Sequence, residues 1–147
     1  MPRTERRADV VWRGSVTDGE GAVTSGSGAL DFRVDLPTRV GESRGHTSPE
    51  ELLAAAHAAC YAMSLSNQLT QLGSPPEELN VTSTCTLDEV GGSHVITTFD
   101  LHVRGRAAGV DAAAFRAAAK SADESCPVSS LFRGKAEVRL DAELTEG

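Results

Sequence analysis

Apolar and polar positions alternate along several short stretches of this chain, and a two-residue period predicts strands. Phe32-Arg33-Val34-Asp35-Leu36 alternates strictly and reads as a strand that Pro37 ends. Before it, Ala8 to Thr17 carries the β-formers Val10, Val11, Trp12 and Val16, and Asp18-Gly19-Glu20-Gly21 marks a turn. Ala22 to Leu30, lighter and with Ser and Gly interleaved, reads as the second arm of that hairpin. In the second half, Leu79 to Val90 places Val81, Ser83, Cys85 and Leu87 on one side. Gly91-Gly92 is a two-residue hairpin signal, and Val95 to Arg104 is the return arm, with Val95, Thr97, Phe99, Leu101 and Val103 on one face. Ala136 to Leu144 alternates as a last strand.

Between these halves the period changes. Thr47 to Gly73 reads as one long helix. Ser48 suits the N-cap, Pro49 the first helical position, and Glu51 completes a capping box. Gly73 fits the left-handed residue after the last turn, and Pro75-Pro76 cannot continue a helix. The rod is roughly 36 Å long at 1.5 Å per residue. Ala54, Ala55, Ala56, Ala58, Ala59 and Ala62 make its middle narrow, and Leu52, Leu53, Met63, Leu65, Leu69 and Leu72 add bulk toward the ends. A helix small or apolar on nearly every side is expected to be buried. A second alanine-rich helix runs from Ala112 to Glu124, capped by Asp111 and closed by Cys126-Pro127, with Val128 to Phe132 a short connection or turn of helix. Thr38 to His46 reads as a polar loop that holds Arg39 and Arg44.

The order is therefore β-β-β-α-β-β-α-β. Hairpins dominate, so the expected class is α+β, with mainly antiparallel sheets and two helices packed on them. At 147 residues the chain is expected to form a single domain, 1–147. Burying so long an apolar helix within it is difficult, which predicts an intertwined homodimer that buries the helix between two chains.

Composition narrows the function. A net charge of −7 with interspersed signs argues against a nucleic-acid surface. No apolar run approaches the ~20 residues that span a bilayer, and the N-terminal stretch has no apolar core behind Arg6-Arg7, so neither a membrane nor a secretory signal is expected. Three cysteines, an odd number at no repeating spacing, do not make a disulfide framework, and a cytoplasmic protein with free thiols is the expectation.

The chemistry rests on Cys60, mid-helix, and Cys126, at the end of the second alanine-rich helix. Crossing at their narrow places, the two helices would bring the thiols together. Such a pair can run a peroxide cycle: one thiolate forms a sulfenic acid, the other condenses with it to a disulfide, and external thiols reset the pair. Against this stands the ordinary fate of cysteine, which is to be a buried core residue. Cys85, in a strand, keeps that reading. A peroxide-reducing thiol needs a nearby cation, for which Arg39 and Arg44 are the candidates, and a carboxylate such as Glu50 to hold the cation. Glu50 lies about 15 Å along the helix axis from Cys60, so it acts through an arginine or through a partner chain. His57, one turn before Cys60, raises two other readings: a thiol hydrolase using Cys60 and His57, or half a metal site. Neither a CxxC nor matching histidine spacing supports the metal, and His57 reads better as a packed helix residue. A non-catalytic module holding an apolar ligand at the interface also remains open.

Thr38-Arg39-Val40, then TSPEELLAAAHAAC at 47–60, then ESCPVS at 124–129, resemble the OsmC/Ohr family of osmotically induced and organic-hydroperoxide-resistance proteins, over nearly the whole chain. The His-Ala-Ala-Cys wording and the arginine after the third strand are more similar to the OsmC branch. The resemblance implies a tight homodimer with a cysteine-based peroxidase site at each subunit interface, acting on organic hydroperoxides and more weakly on hydrogen peroxide. Position by position it makes Cys60 the peroxide-attacking cysteine, Cys126 the resolving one, Arg39 the arginine that supports the thiolate, and Glu50 the glutamate that holds it. It implies an external dithiol reductant, in some members of lipoyl type; no bound cofactor or metal is expected.

Overall fold

The computed structural model describes residues 3–43 and 45–145, so Arg44, the second candidate cation, lies outside the described residues. The chain divides into two compact units, Met1–Leu52 and Leu53–Gly147.

The first unit is built on an antiparallel meander, β1 (Ala8–Arg13), β2 (Glu20–Ser25) and β3 (Asp31–Val34), in that spatial order. β1 stops at Arg13, short of the expected Thr17. Gly14 takes a left-handed conformation (φ 98°) that turns the chain, and the Gly19 amide closes the turn on the Ser15 carbonyl at 2.7 Å. Val16 therefore sits in the turn, largely exposed. The expected loop from Thr38 also changes character. Leu36–Val40 forms a short helix, α1, with Asp35 as its N-cap: the carboxylate Oδ1 accepts the Thr38 amide at 2.8 Å. Pro37 sits in the first turn of this helix, where its missing N–H costs nothing.

Helix α2 (Pro49–Gln71) follows. Its start is capped by Ser48, whose hydroxyl accepts the Glu51 amide at 3.1 Å. The Glu51 carboxylate does not complete the box on Ser48; it accepts from the Thr47 hydroxyl. At the other end, Gly73 is left-handed (φ 81°) and the Ser74 amide reaches the Leu69 carbonyl at 2.9 Å, a Schellman closure.

In the second unit, β4 (Glu78–Val90), β5 (Ser93–Arg106) and β6 (Glu137–Leu144) form a sheet in sequence order. The β4–β5 hairpin turns on Gly91-Gly92, both with positive φ. Its register slips by one residue between Thr86 and Leu87, so Ile96 rather than Thr97 stands opposite Leu87. The face expected to run Val95, Thr97, Phe99 is broken there, because one extra residue in a strand reverses every side chain beyond it. β6 joins β5 in parallel, through α3 (Ala112–Ser125) and α4 (Pro127–Phe132). The sheets are thus antiparallel in three of four pairings, in an α+β fold.

The core lies where α2 and α3 cover this sheet: Tyr61, Leu65 and Leu69 from α2, Leu101 and Val103 from β5, Phe115, Ala118, Ala119 and Ala122 from α3, and Cys126. Beyond Glu50 in its first turn, α2 buries one stripe, His57, Tyr61, Leu65 and Leu69, at a spacing of four. Met63 is 73% exposed, so burial on nearly every face, expected from composition, is not reached within one chain. One sheet and one neighbouring helix cover a single side of a rod, whatever the size of the residues on its other sides.

Candidate active site

Cys60 sits mid-helix on α2, one residue before the buried Tyr61, whose hydroxyl donates to the Ala119 carbonyl of α3 at 2.9 Å. That bond fixes α2 against α3 next to the thiol. Cys126 occupies the break between α3 and α4. Its backbone is extended (φ −69°, ψ 116°), as expected of a residue before proline, and Pro127 opens α4. The kink carries the Cys126 sulfur to 3.3 Å from the Cys60 sulfur, a thiol–thiol contact with both cysteines reduced. Cys60 is partly exposed and Cys126 fully buried. One sulfur is therefore open to a reagent, and its neighbour is shielded until the first has reacted.

Burial pushes the Cys60 thiol above its ordinary pKa; the Val128 amide at the start of α4 works against this, while the Cys126 thiol adds to it. The surroundings of Cys60 in this unit thus keep it protonated, and a further cation is needed to make a nucleophile.

In the first unit, Arg39 in the last turn of α1 meets Glu50 at the start of α2. Arg39 Nε donates to Oε1 at 3.0 Å and Nη2 to Oε2 at 2.9 Å, a two-pronged pairing. The Glu50 carboxylate is buried while the guanidinium is 39% exposed, so the cation is held in place with one edge free. Asp35 supports the same segment from both ends: besides capping α1, its Oδ2 pairs with His46 Nδ1 at 2.6 Å. The Thr38 backbone amide, followed by His46, holds the Asp35 carboxyl down at about 2. His46 was legible in the sequence only as one of several scattered histidines. Arg39→Met strands the buried Glu50 carboxylate, and urea unfolding is expected to show a loss of about 1–3 kcal/mol, scaled down for the exposed guanidinium. Replacing both residues by Met should return part of that loss.

His57 is fully buried, and both of its ring nitrogens are engaged: Nε2 with Ser129 Oγ at 2.7 Å and Nδ1 with Ser83 Oγ at 3.2 Å. The rings of Phe99 and Phe132, stacked at 3.9 Å, meet it edge-on at 5.5 and 5.3 Å. A base needs a free nitrogen directed at the nucleophile, so this arrangement does not serve a Cys60–His57 hydrolase. Ser129 and Ser83 were not singled out in the sequence, although Ser129 lies within the CPVS motif. Cys85 is half-buried on β4 opposite Phe99. Among the described residues no three His, Cys, Asp or Glu side chains converge as metal ligands.

An α+β scaffold that presses two reduced cysteines together, one accessible and one shielded, defines a dithiol redox class. The comparisons place the chain within that class. It belongs to the OsmC-like protein family, whose profile matches residues 41–141. It is 36% identical over 140 residues to peroxiredoxin OsmC of Escherichia coli K12, covering 95% of this chain and 96% of that protein. It is 29% identical over 127 residues to the organic hydroperoxide resistance protein of Xanthomonas axonopodis pv. citri, covering 82% and 84%. Its fold matches the crystal structure of an organic hydroperoxide resistance protein from Elizabethkingia anophelis with a TM-score of 0.78, at 23% identity, over 98% of this chain and 99% of the other.

Proposed function

We propose that this protein is a cysteine-based peroxidase that reduces organic hydroperoxides to alcohols, and hydrogen peroxide more weakly. The observation that carries the reading is the 3.3 Å contact between Cys60 and Cys126. The Cys60 thiolate attacks the terminal oxygen of the hydroperoxide. The oxygen–oxygen bond breaks, the alkoxide takes a proton and leaves as alcohol, and Cys60 becomes a sulfenic acid. Cys126 then attacks the Cys60 sulfur, hydroxide leaves with the Cys126 proton as water, and a disulfide remains. Two thiols of an external dithiol, of lipoyl type in this reading, reduce that disulfide by exchange. No bound cofactor takes part.

Arg39, oriented by Glu50, is assigned the role of supporting the Cys60 thiolate, the cation that the raised thiol pKa calls for. A pocket lined by Trp12, Val16, Val34, Asp35, Leu36 and Pro49 has Arg39 on its wall, and its mainly apolar lining suits the hydrocarbon part of an organic hydroperoxide. The same pocket favours the second reading, a non-catalytic module for an apolar ligand. Hydroperoxide consumption with a dithiol reductant, followed by alcohol analysis, separates the two: the module consumes none and keeps its ligand when both cysteines are replaced.

The open face of α2 at Met63 and the exposed Val10, Val11 and Trp12 of β1 support an intertwined homodimer, and sedimentation at twice the 15.4 kDa chain mass is the expected result. A cytoplasmic location is part of the proposal, and no helix among the described residues is long and apolar enough to cross a membrane.

A further inference from the structure

His57 and Cys60 lie one turn apart on α2, and Ser129 and Cys126 lie three residues apart across the start of α4. Two contacts close this rectangle: the sulfurs at 3.3 Å and the His57 Nε2–Ser129 Oγ hydrogen bond at 2.7 Å. α4 is only six residues long, and its N-cap, Cys126, makes no side-chain capping bond. Its far end is pinned by Arg133, which pairs with Asp123 and donates to the Asp123 carbonyl at 2.9 Å. Its near end, which carries Cys126 and the Val128 amide that reaches Cys60, is tied to α2 through the Ser129 hydroxyl. His57 is itself immobilised by Ser83 on β4 and by the edges of Phe99 and Phe132.

We infer that His57 is a positioning residue for the resolving step: through Ser129 it holds the Cys126 sulfur against Cys60 while Cys60 passes through its sulfenic acid. The inference rests on the peroxidase reading of the same pair. To form the disulfide, the sulfurs close from 3.3 Å to about 2.05 Å, as the Cys126 sulfur displaces hydroxide from Cys60. A resolving group displaced by ~1 Å loses on the order of a hundredfold in rate. During that delay a second hydroperoxide meets the sulfenic acid, transfers an oxygen to it, leaves as alcohol, and yields the sulfinic acid. The attack on the first hydroperoxide does not use the Cys126 sulfur; it needs the Cys60 thiolate, to which the Val128 amide of α4 adds one hydrogen bond, so a shift of α4 slows it far less than disulfide closure. Burial pushes His57 below its ordinary pKa, and a neutral imidazole offers one donor and one acceptor, the pair that two hydroxyls require.

The test is a single turnover of the reduced full-length chain with cumene hydroperoxide, without reductant. Hydroperoxide loss is followed together with disulfide, dimedone-trapped sulfenic acid and sulfinic acid by intact mass. His57→Leu removes both hydrogen bonds. His57→Asn keeps a polar atom near the Nδ1 position, toward Ser83, and His57→Gln keeps one near the Nε2 position, toward Ser129. Leu and Asn are expected to consume the first hydroperoxide within about twofold of wild type, yet to form the disulfide at least about tenfold more slowly and to accumulate sulfinic acid, whereas Gln restores closure to within about threefold. Wild-type disulfide formation in His57→Leu, or equal slowing of both steps, overturns the inference. Should His57→Leu fail to fold, Ser129→Ala leaves the histidine in place and is expected to give the same split; a wild-type closure rate in Ser129→Ala overturns the inference as well. If the wild-type chain consumes no hydroperoxide, the peroxidase reading fails by itself. Positioning is then read from diamide, which oxidises the two thiols to a disulfide as it becomes the hydrazine: slower closure in Ser129→Ala supports it and an unchanged rate overturns it.

Discussion

Cys60→Ser is expected to reduce hydroperoxide consumption by about a thousandfold or more, equivalent to about 4 kcal/mol of lost transition-state stabilisation. The change is nearly isosteric, and α2 keeps the contacts of Tyr61 and its capped ends, so the loss is not one of folding. It arises because a serine hydroxyl stays protonated where a thiol can ionise, and because alkoxide oxygen does not cycle through a sulfenic acid. Cumene hydroperoxide decay with excess dithiol, alongside a melting curve within a few degrees of wild type, is the measurement. Wild-type consumption in this variant would falsify the peroxidase reading outright.

Cys126→Ser is expected to separate the two halves of the cycle. The first hydroperoxide is still consumed, since Cys60 and the Val128 amide at its sulfur remain. Steady-state turnover falls by about tenfold or more, and Cys60 gains about 32 Da as its sulfinic acid, because no shielded neighbour condenses with the sulfenic acid in time. Complete burial of Cys126 makes this variant clean: an external reagent reaches the Cys60 position first in either protein. Intact mass after titration with increasing hydroperoxide distinguishes the outcomes, and a disulfide-sized loss of two hydrogens in the variant would show that another thiol resolves Cys60.

The parts of the fold set by local chemistry were legible from residues alone. Ser48, Pro49 and Gly73 bracket α2 within a residue or two of where it lies, Asp111 caps α3, and Gly91-Gly92 turns the long hairpin. From its type alone Pro37 reads as a strand terminator, because proline interrupts a strand and initiates a helix equally well. Asp35 decides between the two by capping, and Arg39 thereby sits on a helix rather than a loop. The parallel placement of β6 depends on contacts with β5 about forty residues away, which an alternating pattern does not encode. The exposed face of α2 follows from the same limit: composition states that a surface is apolar, not which partner covers it.

Two narrow helices, each carrying a cysteine, point to the thiol pair, and the resemblance to a family gives it a role. What neither provided was the joint between them. The sequence shows His57 as a packed helix residue and gives Ser129 no distinguishing mark, because a hydrogen bond spanning 72 positions leaves no trace in spacing. Arg39 and Glu50, eleven positions apart, were easier to pair, since a lone cation and a helix-start carboxylate leave few alternatives.

The parallel β5–β6 pairing bears on how the protein is made. A strand joined in parallel cannot zip up from a tight turn; the α3–α4 crossover must dock before its ladder closes. Cys126 rides on that crossover. A nascent chain therefore carries its reactive sulfurs apart, open to mixed disulfides with small thiols, and becomes proficient at internal closure only as its slowest long-range contacts are completed.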